Sequence, residues 1–177
     1  MTKAIFIDRD GVIVEDPGYV HKVEDFKLVN NAIEGLKLLK NYKLFIITNQ
    51  SGIGRGYYSE DQFHQFNNHL LRELKKEGIY IIETWFCPHH PDEGCDCRKP
   101  NTKFMQLAAK KYNIELNKSF VIGDHPSDVE MGHKAGAKTI YVLTGHGQEH
   151  KENLKKYDYI AQDLIDAAKW ILENDKE

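Results

Sequence analysis

Two aspartates separated by one residue are the first group in the sequence that could perform chemistry. Asp8 and Asp10 follow a short apolar run, and Gly11 comes next. Residues two apart in an extended segment point to the same side, and glycine lets the backbone turn close to a ligand. Taken alone, such a pair more often starts a turn, so its meaning depends on what lies near it.

A second pair of carboxylates, Asp124 and Asp128, follows another apolar run. Clustered carboxylates repel one another unless a cation lies among them, and oxygen ligands of this kind suit Mg²⁺. The simpler alternative is that either residue caps the next helix. Four carboxylates at two strand ends favour a magnesium site.

A glycine-rich segment, residues 48–56, begins with Thr48, Asn49, Gln50 and Ser51. Its hydroxyl, amide and backbone N–H groups could bind an anion. It is not a P-loop, because it has no Gly-Lys-Ser/Thr ending. A flexible connection is the alternative for this segment considered alone.

All three cysteines of the chain lie within residues 87–97. A disulfide framework usually has an even number of cysteines with wider spacing. The segment instead combines a Cys-x-His motif, Cys87 and His89, with a Cys-x-Cys motif, Cys95 and Cys97. Three thiols and one imidazole complete a tetrahedral Zn²⁺ set with no open position, which predicts a structural zinc site. Buried thiols without metal are the alternative.

Short apolar runs alternate with helical patterns along the chain. This alternation predicts an α/β fold with a mostly parallel sheet and helices on both faces. Strands are predicted at residues 3–7, 43–48, 79–86, 119–122 and 138–142, and helices at 31–41, after Ser59, 102–112, 128–135 and 163–173. Ser59 and Gln62 form a capping-box pattern. Ligands bind at the carboxyl ends of such strands, where the polar clusters of this sequence occur.

Composition places limits on domain number and partners. The 177 residues, 41% hydrophobic and 29% charged, predict one domain over residues 1–177, with the last residues, 173–177, frayed. A net charge of -3 gives no electrostatic reason to expect nucleic acid or an anionic membrane as partner. No apolar run is long enough to span a bilayer, and no signal-peptide pattern opens the sequence, so a cytoplasmic location is expected.

Together these motifs resemble the haloacid dehalogenase (HAD) superfamily of aspartyl phosphatases. The similarity runs over residues 5–147 and includes four motif positions in order: Asp8 to Gly11, Thr48, Lys99, and Gly123-Asp124 with Asp128. The resemblance implies a Rossmann-like fold without a large cap domain. It is strongest to the branch that contains heptose 1,7-bisphosphate and histidinol-phosphate phosphatases.

The resemblance also implies catalytic roles. Asp8 would be the nucleophile that forms an aspartyl-phosphate, and Asp10 would be the general acid and base. The carboxylates of Asp8 and Asp124 and the backbone carbonyl of Asp10 would hold Mg²⁺. Thr48 and Lys99 would bind the phosphate oxygens, with Asn49 beside them.

Two further roles follow from the same resemblance. Asp128 would orient Lys99 or a metal-bound water from the second shell. The Cys-Pro-His pattern of the branch selects His89 rather than His90 as the fourth zinc ligand. We infer that the zinc loop, residues 87–97, positions Lys99, which follows it directly.

The expected substrate is a small sugar phosphate, with the C7 phosphate of D-glycero-D-manno-heptose 1,7-bisphosphate as the leading candidate. Histidinol phosphate is the alternative within the same chemistry, and a noncatalytic phosphate-binding module is the alternative of another class. A monomer is expected. Six side chains are candidates for substrate contacts: Tyr19, His21, Gln50, Ser51, Arg55 and Arg98.

Two features depart from the heptose branch. Five residues separate His89 from Cys95, a short spacing that resembles the histidinol-phosphate enzymes as much as the heptose enzymes. His125 follows Asp124 where the heptose enzymes usually have lysine, so it either alters the electrostatics near the metal or points away. Residues 144–147, Thr-Gly-His-Gly, are expected to form a surface loop rather than part of the site rim.

Overall fold

The computed structural model describes residues 2–175 and contains one six-stranded sheet within that range. Its strands are β1 Ala4–Ile7, β2 Lys43–Asn49, β3 Ile81–Cys87, β4 Phe120–Gly123, β5 Lys138–Val142 and β6 Tyr159–Ala161. They lie in the order β3-β2-β1-β4-β5-β6, and every neighbouring pair is parallel. The predicted α/β class with a parallel sheet is confirmed.

Seven α-helices connect the strands within residues 2–175. They are α1 Ala32–Leu38, α2 Ser51–Gly54, α3 Glu60–Lys76, α4 Lys103–Tyr112, α5 Pro126–Lys134, α6 Gly147–His150 and α7 Leu164–Asn174. Four single 3-10 turns cover Val23–Asp25, Pro91–Glu93, Leu116–Lys118 and Lys151–Asn153. None of the helices in the described range combines the length and the apolar character needed to cross a membrane.

The central strand is buried on both faces, as its continuous apolar sequence predicts. Ile5 and Ile7 of β1 belong to one hydrophobic cluster, whereas Ala4 and Phe6 belong to a second cluster on the other face. Helices α1, α3 and α7 contribute to the first cluster, and α4 and α5 contribute to the second. Because helices cover both faces, the open ends of the strands are where polar side chains can gather.

The strand order reverses at β1, which makes this point of the sheet a site for ligands. The chain builds outward from β1 to β2 and β3, and then returns to the other side of β1 as β4. Ile7 pairs with Ile46 on one side and with Ile122 on the other. The residues that follow these three strands therefore meet at one edge.

The capping box predicted from Ser59 and Gln62 is confirmed at the start of α3. The Ser59 hydroxyl accepts a hydrogen bond from the Gln62 N–H at 3.1 Å, and the Gln62 side chain accepts one from the Ser59 N–H at 2.9 Å. Helix α3 matters for the site because it carries Phe63 and Phe66, which pack around Arg9.

Several elements differ from the sequence prediction. Strand β6 was not predicted, because its three residues are too short for a periodic signal. Helix α2 lies within the segment expected to be a glycine-rich loop, and α6 follows β5 where a loop was expected. Near the C-terminus, Asp175 accepts hydrogen bonds from Lys3 and Tyr42, so the predicted fraying does not begin at Glu173. Residues 176–177 of that predicted segment lie outside the described residues.

Candidate active site

Three carboxylates converge at the edge where β1 and β4 end. Asp8 follows β1, and its backbone N–H donates to the Ile122 carbonyl of β4 at 2.9 Å. Asp124 follows β4, and Asp128 lies in the first turn of α5. One oxygen from each carboxylate lies within 4.8 Å of the others. Three of the four aspartates singled out in the sequence are therefore brought together, and Asp10 is not part of this group.

Two glycines with positive φ allow the backbone to approach Asp124. Gly11 has φ +85° and Gly145 has φ +55°, and a Cβ on either would collide with the Asp124 carboxylate. The Thr144 hydroxyl donates to the Gly11 carbonyl at 2.8 Å and joins the two segments. The expectation that residues 144–147 form a surface loop is wrong, because these residues pack directly on the carboxylate site.

His146 and Asp16 are site residues that the sequence reasoning did not select. The His146 N–H donates to Asp124 Oδ2 at 2.9 Å, and its ring Nε2 lies 2.9 Å from Asp16 Oδ2. Asp16 lies in the segment after β1, and His146 lies in the segment after β5. Their positions could have indicated the site, because ligands bind where the strands of such sheets end.

Lys99 supplies the positive charge nearest to the carboxylates. Its Nζ lies 3.0 Å from Asp8 Oδ1 and 2.6 Å from Asp128 Oδ1, and it donates to the Ile47 carbonyl at 2.8 Å. Burial acts to lower the pKa of the Lys99 ammonium, but the attraction of Asp128 and Asp8 outweighs it and raises that pKa. The ammonium is therefore held charged between Asp8 and Asp128.

The balance of charge at this edge fits a bound cation. Burial, followed by the negative charges of Asp8 and Asp128, raises the pKa of Asp124 to about 9. Burial and the charge of Asp128 also raise the pKa of Asp8, against the opposing effect of Lys99. Three carboxylates with one ammonium leave an excess of buried negative charge, which a divalent cation with oxygen ligands would offset. Asp128 contacts Lys99 and accepts the His125 N–H at 3.1 Å.

The side chain of Asp10 faces a different set of groups. Arg9 Nε donates to Asp10 Oδ1 at 2.7 Å, Arg9 Nη2 lies 3.2 Å from Oδ2, and Gln50 Nε2 donates to Oδ2 at 2.9 Å. The Asp10 carboxylate is therefore held by Arg9 and Gln50 and lines the cavity beside the three-carboxylate cluster.

A cavity of about 350 Å³ opens above the carboxylates. Of the predicted phosphate-binding and substrate-binding residues, six line it: Thr48, Asn49, Lys99, Tyr19, Ser51 and Arg98. Three predicted substrate contacts do not line it. Gln50 points to Asp10, His21 stacks on Tyr58 with ring centroids 4.6 Å apart, and Arg55 is exposed beyond α2. His125 lines the cavity, so it does not point away from the site.

The cysteine loop brings four potential metal ligands together. Sγ of Cys97 lies 3.2 Å from that of Cys87 and 3.8 Å from that of Cys95, and Cys87 and Cys95 are 3.5 Å apart. His89 Nδ1 lies 3.5 Å from Cys87 Sγ and 3.2 Å from Cys97 Sγ. A tetrahedral ion with Zn–S bonds of about 2.3 Å requires sulfur atoms about 3.8 Å apart, so the four ligands need to move little to hold zinc.

The contacts of neighbouring residues favour His89 and the three thiols as the metal-ligand set. His90 Nδ1 instead accepts the Asp92 N–H at 3.1 Å, which turns it away from the cluster. Burial raises the pKa of the Cys87 and Cys97 thiols. Burial acts in the same direction on Cys95, but N–H donors from Cys97 and Arg98 lower the pKa of Cys95 to about 7. Thiolates are the form that zinc binds, and one thiol is already set up to ionise near neutral pH.

Two contacts restrain the segment that runs from the cysteine loop to Lys99, one with the end of β2 and one with α2. The Asn49 side-chain carbonyl accepts the Lys99 N–H at 3.1 Å. A Cβ on Gly54 of α2 would collide with the backbone at His90, so the loop lies directly on that helix. Asn49 therefore holds Lys99 in place, in addition to lining the cavity.

Comparison with known proteins identifies relatives of the whole chain. Residues 96–167 match the HAD-hydrolase-like family. The chain is 41% identical over 154 residues to D-glycero-alpha-D-manno-heptose-1,7-bisphosphate 7-phosphatase of Photorhabdus laumondii, covering 81% of this chain and 84% of the relative. It is 39% identical over 180 residues to D-glycero-beta-D-manno-heptose-1,7-bisphosphate 7-phosphatase of Pasteurella multocida, covering 97% of each.

A solved structure extends the likeness to the fold. D,D-heptose 1,7-bisphosphate phosphatase from B. bronchiseptica, in complex with magnesium and phosphate, superimposes with a TM-score of 0.90 at 27% identity, over 97% of this chain and 98% of that one. The predicted resemblance to HAD phosphatases is confirmed. The chain belongs to the D-glycero-D-manno-heptose-1,7-bisphosphate 7-phosphatase family of HAD-like hydrolases.

Proposed function

We propose that this chain hydrolyses the C7 phosphate of D-glycero-D-manno-heptose 1,7-bisphosphate through an aspartyl-phosphate on Asp8. The observation that carries the proposal is the position of Asp8, which lines the cavity 3.0 Å from the Lys99 ammonium and within 4.8 Å of an Asp124 oxygen. The high identity of the whole chain to heptose bisphosphatases supports this substrate over histidinol phosphate.

The first step transfers the phosphoryl group to Asp8. A carboxylate oxygen of Asp8 forms a bond to phosphorus while the bond from phosphorus to the C7 oxygen breaks. Asp10 gives its proton to that leaving oxygen, and the sugar departs as an alcohol. Lys99 and Thr48 hold the phosphoryl oxygens in line with Asp8.

The second step releases phosphate and restores Asp8. Asp10, now a carboxylate, takes a proton from water as the water oxygen bonds to phosphorus, and the bond from phosphorus to Asp8 breaks. Mg²⁺ held by Asp8, Asp124 and the Asp10 carbonyl would supply positive charge for the approach of two anions. Asp128 keeps the Lys99 ammonium directed at the same position throughout.

The same proposal includes the domain organisation, the oligomeric state, the zinc site and the cellular compartment. Residues 1–177 act as one HAD-like domain and as a monomer, because one chain supplies every residue that the mechanism uses. The thiols of Cys87, Cys95 and Cys97, together with His89, hold a structural zinc. A reducing compartment such as the cytoplasm keeps those thiols available for metal.

Arg98 is the proposed contact for the second phosphate of the substrate. It lines the cavity, and its Nη1 is buried without a hydrogen-bond partner among residues 2–175. A guanidinium suits the bidentate recognition of phosphate. Arg55 is exposed and is not among the residues that line the cavity, so it serves as the natural comparison.

The function is tested with a panel of substrates. Phosphate release is measured with Mg²⁺ for both anomers of heptose 1,7-bisphosphate, for histidinol phosphate and for simple sugar monophosphates. We expect kcat/KM to be highest for one heptose bisphosphate anomer, and Asp8→Asn to reduce turnover by roughly 10³-fold or more. Asp61→Asn, an exposed carboxylate on α3, is the matched control and should retain full turnover. A preference for histidinol phosphate, or full turnover by Asp8→Asn, would refute the proposal.

Substitution of the two arginines tests recognition of the second phosphate. Arg98→Ala should raise KM for the bisphosphate by roughly tenfold or more, because a charge-assisted contact to phosphate is lost. KM for an aryl monophosphate should change little in the same variant, and Arg55→Ala should leave both values unchanged. Steady-state kinetics on the two substrates measure these differences. An equal effect of Arg98→Ala on both substrates would contradict the assignment.

Removal of zinc tests the role given to the cysteine loop. After treatment with a zinc-selective chelator and restoration of Mg²⁺, we expect kcat to fall by roughly tenfold or more, since small misplacement of Lys99 is costly. Cys97→Ser should behave in the same way, whereas Asp92→Ala, an exposed change on the same loop, should not. Elemental analysis should find zinc in the wild type and in Asp92→Ala but much less in Cys97→Ser. Unchanged kcat after verified loss of zinc would show that the loop positions Lys99 without metal.

A further inference from the structure

Gln50 makes three hydrogen bonds that link separate parts of the site. Its side-chain amide is buried at the end of β2. Nε2 donates to Asp10 Oδ2 at 2.9 Å and to Thr48 Oγ1 at 2.8 Å, and Oε1 accepts the Tyr58 hydroxyl at 2.5 Å. Both N–H groups of the amide and one of the two acceptor positions of Oε1 are therefore directed at particular partners.

The Tyr58 side chain is fixed by packing. It is buried between α2 and α3, and its ring stacks on His21 with centroids 4.6 Å apart. A Cβ on Gly52 would collide with the same ring, so the backbone of α2 lies against it. The hydroxyl that reaches Gln50 consequently has little freedom to take another partner.

The Asp10 carboxylate sets the orientation of the Gln50 amide, and the Tyr58 hydroxyl holds the amide there. Because the carboxylate only accepts, Nε2 must face Asp10, and the Tyr58 hydroxyl, which can donate or accept, then donates to Oε1. In that orientation Thr48 Oγ1 accepts from Gln50, and the Thr48 hydroxyl donates only a long contact of 3.5 Å to the Asn49 carbonyl, so its hydrogen can turn towards a phosphate oxygen in the cavity. One amide thus sets the direction of both the phosphate contact and the proton-transfer residue.

The hydrogen bonds to Asp10 also distinguish its two oxygens. Oδ2 receives donors from Gln50 and from Arg9 Nη2, whereas Oδ1 receives only Arg9 Nε. A carboxylate oxygen accepts two hydrogen bonds, so the remaining acceptor position is on Oδ1. Arg9 cannot move easily, because it is fully buried with its guanidinium 5.2 Å from the Phe63 centroid and 4.8 Å from that of Phe66.

We propose that Tyr58 is a positioning residue for the reaction, acting through Gln50 so that Oδ1 of Asp10 exchanges the proton with the leaving oxygen. This inference rests on the proposed function, in which Asp10 is the general acid. The alternative is that Tyr58 only packs beneath the segment that carries α2. Tyr58→Phe separates the two possibilities, because it keeps the ring and removes only the hydroxyl.

The dependence on the leaving group provides the test. A sugar alcohol is a poor leaving group that needs a proton from Asp10, whereas p-nitrophenolate leaves without one. The value of kcat/KM reports the first phosphoryl transfer for both substrates. In Tyr58→Phe we expect kcat/KM for an alkyl sugar phosphate that the wild type hydrolyses to fall roughly three- to tenfold. We expect kcat/KM for p-nitrophenyl phosphate to remain within about twofold of the wild type, since no donated proton is required.

Two further variants make the outcome decisive. Tyr112→Phe removes a hydroxyl that does not line the cavity and that donates a hydrogen bond to Glu83 at 2.6 Å. This variant should leave kcat/KM unchanged for both substrates. Gln50→Leu also removes the hydrogen bond to Thr48, so it should lower kcat/KM for both substrates, but more for the alkyl phosphate than for p-nitrophenyl phosphate. Adding Tyr58→Phe to it should cause no further loss, because the pathway through Gln50 is already broken. Thermal unfolding of each variant checks that the fold is retained.

The outcomes that overturn the inference differ from those that overturn the proposed function. If the wild type hydrolyses neither substrate, the proposed function fails and this inference fails with it. If the wild type hydrolyses both but Tyr58→Phe lowers them equally or not at all, only the inference on Tyr58 fails. Additive losses in the double variant would also contradict action through Gln50.

Discussion

Like charges held together at the buried end of β1 impose the constraint on which the rest of the site depends. Asp8, Asp124 and Asp128 come from three different segments, yet their oxygens lie within 4.8 Å of one another. Such a group is unfavourable unless positive charge is supplied, and the chain itself supplies one ammonium, from Lys99. A divalent cation would offset the remaining negative charge, and the related B. bronchiseptica structure contains magnesium, which is consistent with this charge balance.

The carboxylates are held by regular secondary structure, whereas the Lys99 ammonium follows an irregular segment. The sheet and α5 position the carboxylates, because parallel strands end at one edge and Gly11 and Gly145 let the backbone close around Asp124. Lys99 instead follows an irregular segment with only a single 3-10 turn. Such a segment needs other restraints, and the clustered ligand atoms of the cysteine loop, the hydrogen bond that the Lys99 N–H donates to Asn49 and the contact with α2 provide them.

The sequence was sufficient for features that depend on residue type and local spacing. The strand ends at Asp8 and Asp124, the capping box at Ser59 and the ligand pattern of the cysteine loop each have a local signature.

Side-chain direction has no such signature. Gln50 was predicted to meet the substrate, but Asp10, Thr48 and Tyr58 occupy its polar atoms, and two of these partners are eight or more residues away. Arg98 and Arg55 were both predicted substrate contacts, and the fold places only Arg98 among the residues that line the cavity. The role of residues 144–147 was missed for the same reason, since Gly145 meets Gly11 across more than a hundred residues of chain.

The central claim is that Asp8 forms the covalent bond to phosphorus. The most direct measurement is rapid acid quenching of the enzyme during turnover of substrate labelled in the transferred phosphate, followed by peptide mapping. If Asp8 is the nucleophile, the peptide that contains Asp8 will carry an acid-stable, base-labile label. Because His125 and His146 also line the cavity, a histidine nucleophile is the realistic competitor, and its phosphoramidate would be lost in acid. A label on either histidine under neutral quenching, with none on Asp8, would contradict the account.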